Sequence, residues 1–135
     1  MKKLRTLIVE DSPAVQNMFT ERLQQIESIE IARRAFTRAD AYEALRDKTF
    51  DVVVLDISLP DGSGLDVLLK IKRHRPETIV LIVTNHAYPI LTRWCLNAGA
   101  DYFFDKSMEF EGVFELFKQL SDRLHSGGST PKTDI

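Results

Sequence analysis

Short apolar runs alternate with amphipathic segments along nearly the whole chain, and that alternation leaves few folds open. Leu7-Ile8-Val9, Ile29-Glu30-Ile31-Ala32, Val52-Val53-Val54-Leu55, Ile79-Val80-Leu81-Ile82-Val83 and Tyr102-Phe103-Phe104 read as five strands. Between and after them apolar residues recur at helical spacing. The first helix carries Val15, Met18, Phe19, Leu23 and Ile26, and the second Ala41, Ala44 and Leu45. The third carries Leu65, Leu68 and Leu69, the fourth Leu91, Cys95 and Ala98, and the fifth Val113, Phe117, Leu120 and Leu124. The third and fourth runs are apolar on both faces, as central parallel strands covered by helices must be. The expected fold class is therefore α/β, a five-stranded parallel sheet with helices on both faces.

Punctuation supports this division. Ser12-Pro13 reads as a helix cap followed by proline at the first helical position. Gly99 falls just after the fourth helix, where a left-handed cap is wanted. After Leu124 the periodicity stops, so residues 1–124 are expected to form one domain and 125–135 a flexible tail or linker stump. No output domain is recognisable, which is the expectation for a stand-alone domain or the front of a longer protein.

The charge, −2 from 20 acidic and 18 basic residues, offers no general pull toward nucleic acid or an anionic membrane. The apolar run in MKKLRTLIVED meets carboxylates after Val9, too soon for a signal-peptide core or a membrane span. Cys95 is the only cysteine, which excludes an intrachain disulfide and any multi-cysteine metal site. A reducing, cytoplasmic setting is the simplest expectation.

In open α/β sheets, ligands bind beyond the carboxyl ends of the strands. The first strand ends in Glu10-Asp11, the third in Asp56 and the fourth in Thr84-Asn85, while the fifth leads to Asp105-Lys106. Taken singly, an acidic pair is more often a cap or a solvated turn, Thr84 an ordinary strand residue and Lys106 a solvated charge. Each at the end of a different strand, they converge on one rim. Crowded carboxylates repel and raise one another's pKa. A hard dication with oxygen ligands, Mg2+ above all, with Mn2+ able to substitute, relieves that repulsion.

The set Glu10-Asp11, Asp56-Ile57-Ser58-Leu59-Pro60-Asp61-Gly62-Ser63-Gly64, Thr84 and Lys106 resembles the receiver domain of two-component response regulators, over about residues 4 to 124. The resemblance implies a flavodoxin-like, doubly wound (βα)5 fold. It implies that Asp56 accepts a phosphoryl group from a sensor histidine kinase or a histidine phosphotransfer protein, and that the aspartyl phosphate is later hydrolysed. It also implies that Asp11, Asp56 and the Ser58 backbone carbonyl hold the metal, with Glu10 reaching it directly or through water. Thr84 and Lys106 would bind phosphoryl oxygens, and Thr84 with Phe103 would form a switch. Its readout would be the face of the fourth helix, fifth strand and fifth helix, docking an effector or a second copy.

Three positions depart from the family pattern. Ser107 stands where proline, often cis, usually follows the lysine, so the Lys106–Ser107 peptide is either strained cis or ordinary trans. Phe103 replaces the common tyrosine, and Asn85 the usual small residue after the hydroxyl. Trp94, about 100° off the fourth helix's apolar stripe, is either an exposed anchor or an edge-packing residue. Cys95 is expected in the core. His74, His86 and His125 lack metal-like spacing, although His86 could border the site.

Three rivals are weighed. An electron carrier would need a phosphate cradle where Glu10-Asp11 stands. A dehalogenase-type phosphohydrolase would place a second Asp at Ser58. A pseudo-receiver that docks partners without phosphorylation is the remaining alternative.

Overall fold

Residues 2–125 are described by a computed structural model. In chain order the elements are β1 (Leu4–Val9), α1 (Pro13–Gln24), β2 (Ile29–Ala35), α2 (Arg38–Asp47), β3 (Val52–Leu55), β4 (Ser58–Leu59), β5 (Gly62–Ser63), α3 (Gly64–His74), β6 (Ile79–Thr84), α4 (Pro89–Asn97), β7 (Tyr102–Asp105) and α5 (Phe110–His125). The main sheet has the order β2-β1-β3-β6-β7, and every neighbouring pair is parallel. The chain reverses direction across the sheet between β1 and β3, so the topological switch point lies at their carboxyl ends.

Strand periodicity sorts the core into two layers. Leu7, Val9, Val53, Leu55, Val80 and Ile82 pack on one side with Ala41, Ala44, Val67, Leu68, Ile71 and Cys95 of α2, α3 and α4. Ile8, Val52, Val54, Leu81 and Val83 face the other way onto Phe19, Leu23, Phe114, Phe117 and Leu120 of α1 and α5. Each central strand is thus buried on both faces, which is why its sequence reads as a continuous apolar run.

Local signals place the helix ends. The Ser12 hydroxyl accepts from the Val15 N–H, and Pro13 takes the first helical position of α1. Gly99, at φ 107°, follows α4, with Gly99 N–H donating to Leu96 C=O and Ala100 N–H to Cys95 C=O. That pair of bonds is a Schellman closure, and it needs a residue free to adopt positive φ. It leads into Asp101, whose carboxylate accepts from Val80 N–H and from Lys72 Nζ, both at 2.8 Å. α3 is thereby tied to β6, which ends in Thr84, and to the start of β7, which leads to Lys106.

Some expectations are corrected. Met18 and Leu69 lie on their helices' exposed sides, because the sheet-facing stripes run through Phe19–Leu23 and Val67–Leu68–Ile71. The short antiparallel pair β4–β5 breaks the strict strand–helix alternation. α5 continues one residue past the end of the apolar periodicity, to His125, which lies against Ser28 and 3.8 Å from Glu27. The rest of the expected tail, 126–135, lies outside the described residues.

Candidate functional site

The carboxyl ends of β1, β3 and β7 bring Glu10, Asp11, Asp56 and Lys106 to one cleft, which Ser12, Val15, Ser58, Asn85 and His86 also line. Backbone pairing sets the registers. Glu10 N–H donates to Ala35 C=O, Asp56 N–H to Val9 C=O, and Lys106 N–H to Thr84 C=O. The Lys106 ammonium sits between two carboxylates, 2.7 Å from Glu10 Oε1 and 2.8 Å from Asp56 Oδ2. Glu10 and Asp56 are only 3% and 6% exposed, while Asp11 stands open to solvent.

Burial pushes the Glu10 carboxyl above its ordinary pKa, against the opposing pull of Lys106 and the Ser12 N–H. Burial by itself would lower the Lys106 ammonium, but its hydrogen bonds to Asp56 and Glu10 outweigh it and hold the pKa above the usual value. Among the described residues Glu10, Asp11 and Asp56 each offer a ligand oxygen, and these atoms lie within 4.8 Å of one another. An all-oxygen donor set at that separation, carrying more negative charge than Lys106 cancels, fits a small hard dication.

The loop after Asp56 is held against it. Ser58 N–H donates to Asp56 Oδ1 at 3.1 Å, and Gly64 N–H donates to Ile57 C=O at 2.7 Å. A Cβ at Gly64 would stand 2.1 Å from the Asp56 carbonyl oxygen, so a glycine is needed for α3 to start this close to the strand. Asp61 reaches across to α2 and accepts from the N–H groups of Arg38 and Ala39. Those two bonds hold its carboxyl below the ordinary pKa.

Thr84 ends β6 fully buried. Its hydroxyl accepts from His86 N–H at 3.3 Å, and it does not line the cleft. Phe103 is half-buried on the α2–α3–α4 side of the sheet. With Thr84 paired to Asp105, Phe103 is its diagonal neighbour on the next strand, on the same face. Trp94 is 55% exposed, Cys95 is buried, and His86 borders the cleft.

The Lys106–Ser107 peptide is trans, as are all the described peptides. Ser107 donates both its N–H and its hydroxyl to Asp105 Oδ1, at 2.9 and 2.8 Å. A proline could not make the first of these bonds.

One positioning residue escaped the sequence reading. Gln16 is fully buried on α1, and its Nε2 lies 2.8–3.1 Å from the carbonyls of Ile8, Glu10 and Ala35. It fixes the ends of β1 and β2 beneath the acidic pair. Its place three residues before Phe19 and seven before Leu23, on the buried face, was the available signal.

Sheet order and acidic rim together define a doubly wound α/β domain of flavodoxin-like topology, with its site at the switch point. The chain belongs to the response regulator receiver domain family, whose model matches residues 6–118. It is 34% identical over 121 residues to the sensory transduction protein LytR of Staphylococcus haemolyticus, covering 90% of this chain and 46% of that protein. It is 31% identical over 116 residues to the response regulator protein PilR of Pseudomonas aeruginosa, covering 86% and 26% respectively. The chain thus spans less than half the length of these curated relatives. Among solved structures, a CheY-like receiver domain protein from Methanospirillum hungatei JF-1 superposes with a TM-score of 0.79 at 27% identity, covering 94% of this chain and all of that one. The BeF3-activated DrrB receiver domain gives 0.73 at 30% identity, covering 87% and 96%. The domain is a signal-transduction module of two-component systems.

Proposed function

We propose that this domain is a phosphoacceptor switch in which Asp56 receives a phosphoryl group from a sensor histidine kinase or a histidine phosphotransfer protein. The observation that carries the reading is the pairing of Asp56 Oδ2 with Lys106 at 2.8 Å inside a cluster of three carboxylates at the switch point. Glu10, Asp11, Asp56 and the Ser58 carbonyl are the groups to hold Mg2+, which would supply positive charge for the phosphoryl oxygens. Asp56 is the nucleophile, and its carboxylate is oriented by Ser58 N–H on Oδ1 and by Lys106 on Oδ2. Transfer forms a bond from one carboxylate oxygen to phosphorus and breaks the donor's phosphorus–nitrogen bond. Lys106 then follows the new phosphoryl oxygens as a point charge.

Thr84 would turn its hydroxyl from His86 N–H toward the phosphoryl group, and Phe103, diagonal to it on the same face, would move into the space released. The readout is the α4–β7–α5 face, where an effector or a second copy would dock, with exposed Trp94 as a reporter. The domain's own chemistry is limited to its phosphotransfer and dephosphorylation. None of its described helices is long and apolar enough to cross a membrane, which accords with the cytoplasmic setting we propose, and direct nucleic-acid binding is not part of the reading.

Incubation with acetyl phosphate and Mg2+ followed by intact-mass measurement tests this. We predict one added phosphoryl group on the native chain, and none with Asp56→Asn or without a dication. A labelled Asp56→Asn variant would move the nucleophile elsewhere. An unlabelled native chain would favour the pseudo-receiver reading.

A further inference from the structure

At the opposite end of the sheet, between the carboxyl ends of α2 and α3, lies a pocket of about 280 Å3. Its floor is apolar, made by Leu45 with the buried side chains of Phe50 and Ile71. Its rim carries Arg46, Lys48, Lys70 and Arg75, and no carboxylate lines it. Phe50 and Thr78 sit at the amino ends of β3 and β6. Asp56 is six residues further along from Phe50, roughly 20 Å at the ~3.3 Å rise of a strand.

Cations at helix carboxyl ends have an ordinary explanation, since they complement the carbonyl end of the helix dipole. That accounts for Arg46 and His74, in the last turns of α2 and α3. It extends to the cap residues Lys48 and Arg75, which directly follow the two helices, but not to Lys70, a full turn before the end of α3. Nor are these charges neutralised. Among the described residues Arg46, Lys48 and Lys70 form no ion pair, and Arg75 meets only Glu77, at 4.0 Å between exposed side chains. Lys70 instead lies over the Tyr42 ring, 5.4 Å from its centroid.

A concave apolar floor with a few convergent polar groups is the general form of a small-molecule site. Guanidinium groups on the rim match the planar, bidentate geometry of phosphate and carboxylate. We propose that this pocket binds a small amphiphilic anion, a flat apolar body carrying one phosphate or carboxylate group. The body would lie on Leu45, Phe50 and Ile71, and the anionic group would meet Arg46, Lys70 and Arg75. The site is separate from the acidic cleft and does not depend on phosphorylation of Asp56.

The test uses 1-naphthyl phosphate and 1-naphthoate as probes on the full chain, followed by amide NMR without any dication, so that the acidic cleft does not attract the anion. Saturable shifts are expected at Phe50, Ile71 and Thr78. The tighter of the two probes identifies the anionic group. Inorganic phosphate and neutral 1-naphthalenemethanol should each bind at least about tenfold more weakly, because each supplies only half of the recognition. The exposed double variant Arg46→Gln/Lys70→Gln should weaken the better probe by about tenfold with its fold intact. Shifts centred elsewhere, equal binding of the neutral alcohol, or undiminished affinity in the folded double variant would each overturn the proposal.

Discussion

At the carboxyl end of the sheet, Glu10 and Asp56 are nearly inaccessible and share the ammonium of Lys106. At the amino end, Arg46, Lys48 and Lys70 stand in solvent around an apolar floor. Apart from that of Lys70, the signs follow from the fold. In a parallel α/β sheet the helices run back against the strands, so their amino ends gather where the strands finish and their carboxyl ends where the strands begin. Fixed backbone dipoles therefore favour carboxylates at one end and cations at the other. The degree of burial does not follow from that rule. Glu10 and Asp56 are placed by strand hydrogen bonds, and Gln16 and Gly64 pull the neighbouring backbone tight against them. Arg46, Lys48 and Lys70 are left exposed on helix ends and faces instead. Charge at the first end is thus part of the packing, and at the second it is part of the surface.

Removing one member of the interlocked set should have the largest effect. We predict that Lys106→Met costs about 3–5 kcal/mol in urea unfolding without a dication, because two buried carboxylates lose their partner. Mg2+ should restore part of that loss, since a ligand of the folded state stabilises it by mass action. An unchanged midpoint would mean that water reaches these carboxylates and that the contrast between the two ends is false.

A smaller loss is expected from Gly64→Ala. The added Cβ meets the Asp56 carbonyl at 2.1 Å, and forced accommodation of a methyl group typically costs about 1–3 kcal/mol. The Asp56 backbone has to move, so labelling by acetyl phosphate should slow as well. Full stability with native labelling would show that the loop after Asp56 yields freely.

The smallest effect is expected at the other end. Arg46→Gln should change stability by less than about 0.5 kcal/mol, as for exposed positions without partners. A loss above about 1 kcal/mol would give the basic rim a structural part that its exposure does not suggest.

Much of this was legible beforehand, for reasons that can be named. The five strands and five helices follow from periodicity, and Ser12-Pro13 and Gly99 mark helix ends because those positions demand particular backbone chemistry. The acidic rim was legible because a parallel sheet brings strand carboxyl ends together, whatever the loops do. The β4–β5 pair was not, since two residues per strand leave no period to read. Gln16 was hidden among apolar neighbours on one helix face. Asp61 carried no signal of its own beyond its place in the Asp56–Gly64 stretch, and only the approach of α2 supplies the N–H groups it caps.

By itself the sequence determined the order of elements, the two-sided burial of the central strands and the identity of the groups at each strand's end, all of which depend on local pattern. Only the tertiary structure decided that Lys106 bridges Glu10 and Asp56, that the Lys106–Ser107 peptide is trans with Ser107 bonded to Asp105, and that Thr84 turns its hydroxyl to His86 rather than into the cleft. These are matters of distance and orientation between residues far apart along the chain or at a turn with competing partners. They are settled when the two core layers pack and set how closely the strand ends approach.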